Sequence, residues 1–299
     1  MPRVIELADD AACSLEEISD ALASWHFDPT DEESLHHAAR WLRRLGNNAG
    51  FLGDILVRNL AHRHRDEAEG QSYGPQSLIL TPQIGPCFLR ANIWPGKDDY
   101  LLKASGRSPF LYDLPHDHNF HFLTLGYFGP GYWSDYYEYE FDSVCGYAGE
   151  PVALKPMGRE RLEEGKLMLY RAHKDVHLQL PADALSVSVN VMHADSAMGW
   201  LDQYRFDVDK GTVGGILSNG STDTFLKTAV ALGTDEALDL AETFARSHPS
   251  DRLRVAAWDA LASVTTDPAS RDALWARAEA GGRRMVAMEA VSRRRELAA

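Results

Sequence analysis

The sequence predicts a mainly β core with helical additions: a central antiparallel β-barrel flanked by N-terminal and C-terminal helices. Between residues 76 and 208, short runs rich in β-branched and aromatic residues are separated by Gly and Pro, which is typical of a sandwich or barrel. On either side, apolar residues recur at helical spacing. We therefore predict an N-terminal helical segment (1–75), a β-barrel domain (76–210) and a C-terminal helical domain (211–299).

The N-terminal segment contains a helix start that can be recognised from two residues. Ser14 and Glu17 have the spacing of a capping box, in which each side chain accepts a hydrogen bond from the other residue's backbone N–H. A second helix is indicated by apolar residues at intervals of three and four: Leu35, Ala38, Ala39, Leu42 and Leu45. The polar, Gly-containing stretch 62–77 then predicts a linker.

The C-terminal domain is rich in Ala, Leu and Arg and contains a weak internal repeat. The segment SDRLRVAAWDALASV (250–264) is similar to GRRMVAMEAVSRRR (282–295). This repeat predicts two HEAT-like helical hairpins. A helical cap packed on the barrel is the alternative.

Composition narrows the range of partners and locations. The chain carries 30 Lys and Arg against 44 Asp and Glu, a net charge of −14, which argues against nucleic acid and an anionic membrane as partners. The cysteines, Cys13, Cys87 and Cys145, are far apart and odd in number, so we expect neither disulfides nor a zinc ribbon. With no visible signal peptide or apolar span, a reducing, cytoplasmic location is predicted.

The segment PHDHNFHFLTLGYFGPGY carries the strongest chemical signal in the sequence. His116 and His118 are two residues apart, which on a β-strand places both imidazoles on one face. The same face continues with Phe120, Phe122 and Thr124. This pattern predicts two metal ligands at the end of an apolar pocket, whereas His121 has the opposite parity and is expected to point outward.

The turn Gly129-Pro130-Gly131 predicts that the next strand, YYEYEF, folds back on this one. In that register Glu140 lies opposite Phe120, and Glu138 lies nearer the turn on the same face. Either acid is then able to approach the metal, and we predict Glu140 as a catalytic residue. Tyr139 is the second catalytic candidate, as a proton donor.

A third imidazole is predicted from GKLMLYRAHKDVHLQLP. An apolar strand runs to Tyr170, a polar turn follows, and His177 begins the next strand. His173, within the turn, is the alternative third ligand.

Together these motifs resemble the cupin superfamily over residues 76–208. The family's first motif supplies two histidines, matched by His116 and His118. Its second motif begins with a glycine, matched by Gly165, and supplies one more histidine, matched by His177 one residue late.

One departure from the family pattern bears on the ligand set. The usual glutamate, four or five residues after the second histidine, is replaced by Phe122 and Leu123. The resemblance therefore implies a three-histidine site, as in cysteine-dioxygenase-like cupins, unless Glu140 or Glu138 takes the place of the missing ligand.

The resemblance implies a non-haem iron oxygenase or hydroxylase that uses Fe(II) and dioxygen on a small polar metabolite, such as an amino acid or a derivative. Imidazole ligands also suit Zn, Ni and Cu, and Mn is a further alternative. We expect substrate contacts from Arg90, Arg171, Phe120 and Phe122. A homodimer is a further expectation. The alternatives are a non-catalytic binding cupin with a protein-docking helical tail, and a redox-neutral metal-dependent isomerase or lyase.

Overall fold

The computed structural model describes residues 1–62, 72–74, 76–194, 200–218 and 220–298. The chain divides into two compact units, one formed by Met1–Glu140 with Leu154–Met198 and the other by Phe141–Ala153 with Gly199–Ala299. Antiparallel sheets are combined with helices at both ends of the chain, as predicted. The predicted domain boundaries stay predictions, and the first of them falls on residue 75, outside the described residues. No helix among those residues is long and apolar enough to cross a membrane.

The first unit contains four α-helices and ten strands among its described residues. The helices are α1 (Leu15–Ser24), α2 (Glu32–Gly46), α3 (Phe51–His62) and α4 (Tyr100–Ser105). The strands are β1 (Arg3–Val4), β2 (Ser72–Gly74), β3 (Ser77–Ile79), β4 (Cys87–Trp94), β5 (Phe122–Phe128), β6 (Tyr132–Glu138), β7 (Lys155–Leu162), β8 (Leu167–Tyr170), β9 (Asp175–Gln179) and β10 (Ser186–His193). A short 3₁₀ helix spans Ser108–Phe110.

These strands form two antiparallel sheets. The large sheet has the order β1-β8-β5-β10-β4-β3-β2, and the small sheet has the order β7-β6-β9. Within the described part of the chain the two sheets are not joined into the closed barrel that the sequence predicts. Closure would need the edge strands of one sheet to pair with those of the other, and the two strand orders contain no such pairing; a shared core fills the space between the sheets instead.

Alternate residues of the large sheet face opposite sides, as the pleat of a strand requires. Leu123 and Val191 face the N-terminal helices and share a core with them. Phe122 and Met192 face the other way and share a second core with Tyr136 of the small sheet. The large sheet is therefore covered on both faces, by helices on one and by the small sheet on the other.

The N-terminal helices confirm the sequence reading. The Ser14–Glu17 capping box is present at the start of α1. The apolar residues predicted for the second helix are all buried on α2: Leu35, Ala38, Ala39, Leu42 and Leu45. Most of the predicted linker, 63–71 and residue 75, lies outside the described residues.

The predicted β5–β6 hairpin is wrong. Strand β5 pairs with β10 and β8, and β6 pairs with β7 and β9, so the turn between β5 and β6 carries the chain from the large sheet to the small one. Gly131 in this turn has φ +74° and donates its N–H to Ser186 Oγ at 3.0 Å. The carbonyl oxygen of Leu162 lies 1.9 Å from the position that a Cβ at residue 131 would occupy. Only glycine fits this passage without a shift in the backbone.

The second unit contains a strand pair and five helices among its described residues. The elements are a 3₁₀ turn (Phe141–Ser143), β11 (Tyr204–Asp207), β12 (Thr212–Ile216), α5 (Ser221–Ala231), α6 (Asp235–Ser247), α7 (Asp251–Val264), α8 (Pro268–Glu279) and α9 (Arg284–Ala298). The five helices enclose an apolar core of their own, which includes Trp258 and Trp275. The HEAT-like character of these helices stays a prediction.

Candidate metal centre

The candidate centre lies where the chain twice crosses between the two sheets. His116 exchanges two backbone hydrogen bonds with His177 on β9, at 3.1 and 2.9 Å, so it belongs to the edge of the small sheet. The chain then leaves that edge and joins the large sheet at Phe122. The return crossing, between β8 and β9, contains His173, whose N–H donates to the carbonyl of His118 at 2.8 Å.

This path corrects one part of the sequence prediction. His116 and His118 do not lie on one regular strand with Phe122, since β5 begins only at Phe122. The residues between His116 and Phe122 carry the chain from the small sheet to the large one, and they do not form a regular strand. The two imidazoles are nevertheless brought to the same place.

Three imidazoles converge through their Nε2 atoms. The Nε2 atom of His177 lies 3.0 Å from Nε2 of His118 and 3.1 Å from Nε2 of His116. One ligand nitrogen from each ring lies within 4.8 Å of the others, and all three residues are buried. The predicted set of His116, His118 and His177 is thus assembled in space.

The hydrogen bonding of these rings suits a cation. Nδ1–H of His116 donates to the carbonyl of Leu114 at 2.8 Å, so the neutral ring presents a lone pair on Nε2. A single proton on Nε2 of His177 can make only one good hydrogen bond, although two Nε2 atoms lie within reach. A divalent metal accepts a lone pair from each nitrogen and therefore fits this set of donors.

Burial keeps the three rings neutral. It lowers the pKa of His116 to about 4, and it lowers the pKa of His118 and His177 well below the usual value. The neighbouring imidazoles lower the pKa of His118 and His177 further. Neutral imidazole is the form that binds a metal, so the centre is ready to do so over the whole neutral range.

The histidines open into a cavity of about 300 Å³ between the two sheets. One part of its wall is aromatic: Phe122 stacks on Tyr170 with ring centroids 4.4 Å apart, and His118 meets Phe122 edge-on at 5.0 Å. Another part is polar. It is lined by Gln76, Ser77, Arg90, Asn92, Gln179, Ser188 and Asn190.

The predicted substrate contacts divide into two groups. Arg90 and Phe122 line the cavity, and Phe120 lies beside the centre with its ring centroid 4.8 Å from that of His118. Arg171 does not line the cavity. Its Nη2 pairs with Glu138 Oε1 and Asp175 Oδ1, both at 2.6 Å. These ion pairs stabilise the turn between β8 and β9.

The acidic candidates contribute no oxygen to the group of three ligand atoms, and neither they nor Tyr139 line the cavity. Glu140 is exposed, and Glu138 is held by the N-terminal ammonium and by Arg171. Partial burial would raise the pKa of Glu138, but these two cations outweigh it and lower the pKa to about 2. Tyr139 is buried, and its hydroxyl donates to Asp117 Oδ2 at 2.6 Å. The catalytic roles of Glu140 and Tyr139 stay predictions.

The two remaining histidines of the motif also lie outside the cluster. His173 occupies the crossing with φ +56° and does not contribute a nitrogen to the group of three. His121 accepts a hydrogen bond at Nδ1 from the N–H of Ala172, at 3.3 Å. Both residues therefore support the crossings by contacts outside the cluster.

Sequence reasoning selected Arg90 but missed the other polar residues of the cavity wall. Arg90 and Asn92 alternate with apolar residues on β4, and Ser188 and Asn190 do so on β10. The signal was present, because polar residues at a period of two within buried apolar strands must share one face. That face is the cavity, since the opposite one packs against the N-terminal helices.

Comparison with known proteins adds little to this description. No family model matches the chain, and no curated protein matches it. Among solved structures, hydroquinone 1,2-dioxygenase PnpCD in complex with Cd²⁺ and 4-hydroxybenzonitrile aligns with a TM-score of 0.25 and 12% identity, over 42% of this chain and 68% of that one.

Two further structures are similarly distant. Vicilin from Corylus avellana (hazelnut) aligns with a TM-score of 0.22 and 11% identity, over 51% of this chain and 42% of its own. A prolyl 4-hydroxylase from Phytophthora capsici aligns with a TM-score of 0.25 and 11% identity, over 95% of this chain and 83% of its own. TM-scores this low do not establish a shared fold, so the chemistry of the centre is inferred from its own side chains.

Proposed function

We propose that this chain is a metal-dependent oxygenase with a cupin-like centre, in which His116, His118 and His177 hold one divalent metal. The metal is Fe(II), and the substrate is a small polar metabolite such as an amino acid or a derivative. The observation that carries the proposal is the convergence of three buried imidazoles at the end of a cavity, with one ligand nitrogen of each within 4.8 Å of the others. Three protein ligands leave positions on the metal open, which is the property of a catalytic rather than a structural site.

The protein's own residues have separate tasks in this proposal. Bound Fe(II) supplies open coordination positions and one-electron chemistry toward dioxygen. Phe122 and Tyr170 form an aromatic wall that keeps bulk water from the centre. Arg90 and the amides of Asn92 and Asn190 face the same cavity, where they bind and orient the polar end of a substrate.

The character of the cavity wall favours an oxygenase over a redox-neutral enzyme. Its amides, hydroxyls and guanidinium bind and orient a substrate, and they do not exchange protons readily at neutral pH. Burial raises the pKa of Tyr170 and Tyr132 above the usual value, so both remain neutral hydroxyls. The reactive chemistry is therefore assigned to the metal, and the wall is assigned to substrate binding.

Metal analysis of the purified protein tests the centre. We expect about one metal per chain, and we expect His116→Ala, His118→Ala and His177→Ala each to lose most of it, because three ligands leave no redundancy. His121→Ala and His173→Ala are matched controls from the same two crossings, and they should retain the parent's metal content. Circular dichroism must show that every variant is folded. A folded His177→Ala variant with full metal content would disprove the assignment.

Oxygen uptake with the Fe(II)-loaded protein over a panel of amino acids and related metabolites tests the reaction. Uptake that matches product formation, and that disappears in the three ligand variants, supports the oxygenase. Turnover without oxygen uptake in the Zn or Mn form identifies a redox-neutral enzyme instead. Tight binding of a metabolite with no turnover in any metal form identifies a binding module. The last two outcomes overturn the proposal.

A further inference from the structure

A second pocket lies among the C-terminal helices, far in sequence from the histidines. It has a volume of about 210 Å³ and is lined by four arginines: Arg246, Arg254, Arg277 and Arg283. The rest of its lining is Gly281 and four buried apolar residues: Ala245, Trp258, Ala278 and Val286. This site, the arginine pocket, gathers positive charge on a chain whose net charge is −14.

Among the described residues, the four guanidinium groups share two carboxylates. Glu242 Oε2 pairs with Arg246 and, at 3.1 Å, with Arg277. Asp251 Oδ1 lies 2.6 Å from Arg283 Nε and 3.8 Å from Arg254 Nε. The group therefore carries an excess of two positive charges.

The arginines of the pocket differ in how firmly they are held. Arg254 donates to the carbonyls of His248 and Arg246 at the C-terminal end of α6, at 2.5 and 2.6 Å, so it stabilises that helix end. The side chains of Arg246, Arg277 and Arg283 are 64%, 50% and 50% exposed. Exposed ion pairs of this kind contribute little stability. Each pair uses a single guanidinium nitrogen, Nη2 of Arg246 and Arg277 and Nε of Arg283, whereas a guanidinium has five N–H donors.

A second pocket of this unit, between α8 and α9, has equal numbers of positive and negative side chains in its lining. Its lining contains Arg294 and Arg295 together with Asp272 and Glu279. Arg294 donates to Asp272 at 2.8 Å and to Glu279 at 2.6 Å. The charge of that arginine is thus neutralised by its own protein, in contrast to the charge of the arginine pocket.

We propose that the arginine pocket binds a phosphoryl group. A phosphate monoester carries a charge of about −1.5 to −2 at pH 7 and presents three strong acceptor oxygens, which matches an excess of two charges. Guanidinium groups bind such oxygens in pairs with good geometry. The indole of the buried Trp258, 5.3 Å from the Arg277 guanidinium, packs against that group and orients it toward the pocket. The proposal is independent of the metal centre.

Two sources share this chemistry: free phosphate or a small phosphorylated metabolite, and a phosphorylated side chain of a partner protein. The test uses one probe for each, inorganic phosphate and a short phosphoserine peptide, with the unphosphorylated peptide as a blank. Each is titrated into the full-length protein by calorimetry at constant ionic strength. Tighter binding of the phosphopeptide than of phosphate indicates the protein source, and equal affinities indicate the free ion.

We expect saturable binding of one phosphoryl group per chain. Arg277→Gln and Arg283→Gln should each weaken it about tenfold or more, because each removes charge-assisted hydrogen bonds. Arg294→Gln, in the pocket between α8 and α9, is the matched control and should leave the affinity unchanged. Arg277→Lys keeps the charge but loses the planar fork, so its affinity should lie between those of the parent and Arg277→Gln.

Thermal unfolding must show that the variants keep the fold. Should Arg283→Gln be destabilised, Arg277→Lys alone still tests the pocket. Phosphate binding that does not saturate would overturn the proposal. An equal loss of affinity in Arg294→Gln and Arg277→Gln would overturn it as well, since it would show a general charge effect and no specific site.

Discussion

Asp117 and Tyr139 form a buried pair directly beside two of the clustered histidines. The Asp117 side chain has no solvent exposure, and its Oδ2 accepts the Tyr139 hydroxyl at 2.6 Å. A buried carboxylate is costly unless it is hydrogen-bonded. This contact ties the first crossing to the residue that follows β6, so we interpret Tyr139 as a positioning residue for His116 and His118.

Tyr139→Phe tests this role, because it removes only the hydroxyl that donates to Asp117. We expect the free energy of unfolding to fall by about 1–3 kcal/mol, because the Asp117 carboxylate loses a donor and cannot reach water. Urea denaturation measures the change, and Tyr100→Phe, at an 83% exposed position, is the control that should change little. Full stability together with a complete loss of turnover would contradict the positioning role and support the proton donor that the sequence predicts.

The turn between β5 and β6 carries the chain from the large sheet to the small sheet. Gly129 and Gly131 both have positive φ, and both pass close to backbone carbonyls of other segments. The sequence does predict a turn here. It does not predict its direction, because β8 and β10, the neighbours of β5, come later in the chain.

Gly131→Ala tests this passage, with Gly158→Ala as its matched control. Both glycines have positive φ, but a Cβ at residue 158 would meet nothing within 4 Å. We expect Gly158→Ala to cost about 1–3 kcal/mol from backbone strain alone. Gly131→Ala should cost more, because the Leu162 carbonyl must also move. Equal urea unfolding midpoints for the two variants would mean that the turn tolerates a Cβ at residue 131, and that the close approach of the Leu162 carbonyl does not restrict this position.

The molecule contains separate apolar cores. The core of helices α5–α9 draws its buried members from residues 226–290, whereas the cores of the sheets draw theirs from residues 5–192. The three clustered histidines lie with the sheets. Metal binding and the helical tail are therefore expected to be separable.

A truncated chain that ends at residue 219 tests this separation. We expect it to bind the same amount of metal per chain as the parent, although loss of the helices lowers solubility by exposing apolar surface. Metal analysis and circular dichroism measure the two properties. A folded truncated protein that lacks metal would show that the tail contributes to the centre.

The sequence predicts features that depend on residues close together in the chain better than features that depend on residues far apart in it. Local periodicity is enough for α1, α2 and most strands, and the resemblance to a known motif is enough to select three histidines that do converge. The grouping of strands into sheets is not local. For that reason the hairpin prediction was wrong, and the predicted barrel appears as two antiparallel sheets that do not close among the described residues. The positions assumed for Glu138 and Glu140 depended on the same pairing, so they could not be predicted correctly either.

The exchange of backbone hydrogen bonds between His116 and His177, followed at once by a crossing to the other sheet, has a consequence for how the centre responds to distant change. His116 and His177 are hydrogen-bonded within the small sheet, whereas the chain that follows His118 joins the large sheet at Phe122. The spacing of the Nε2 atoms therefore reports the separation of the two layers. We therefore expect a substitution that enlarges or shortens a side chain in the core between the two sheets, such as Met192→Ala, to change metal affinity without contacting the metal.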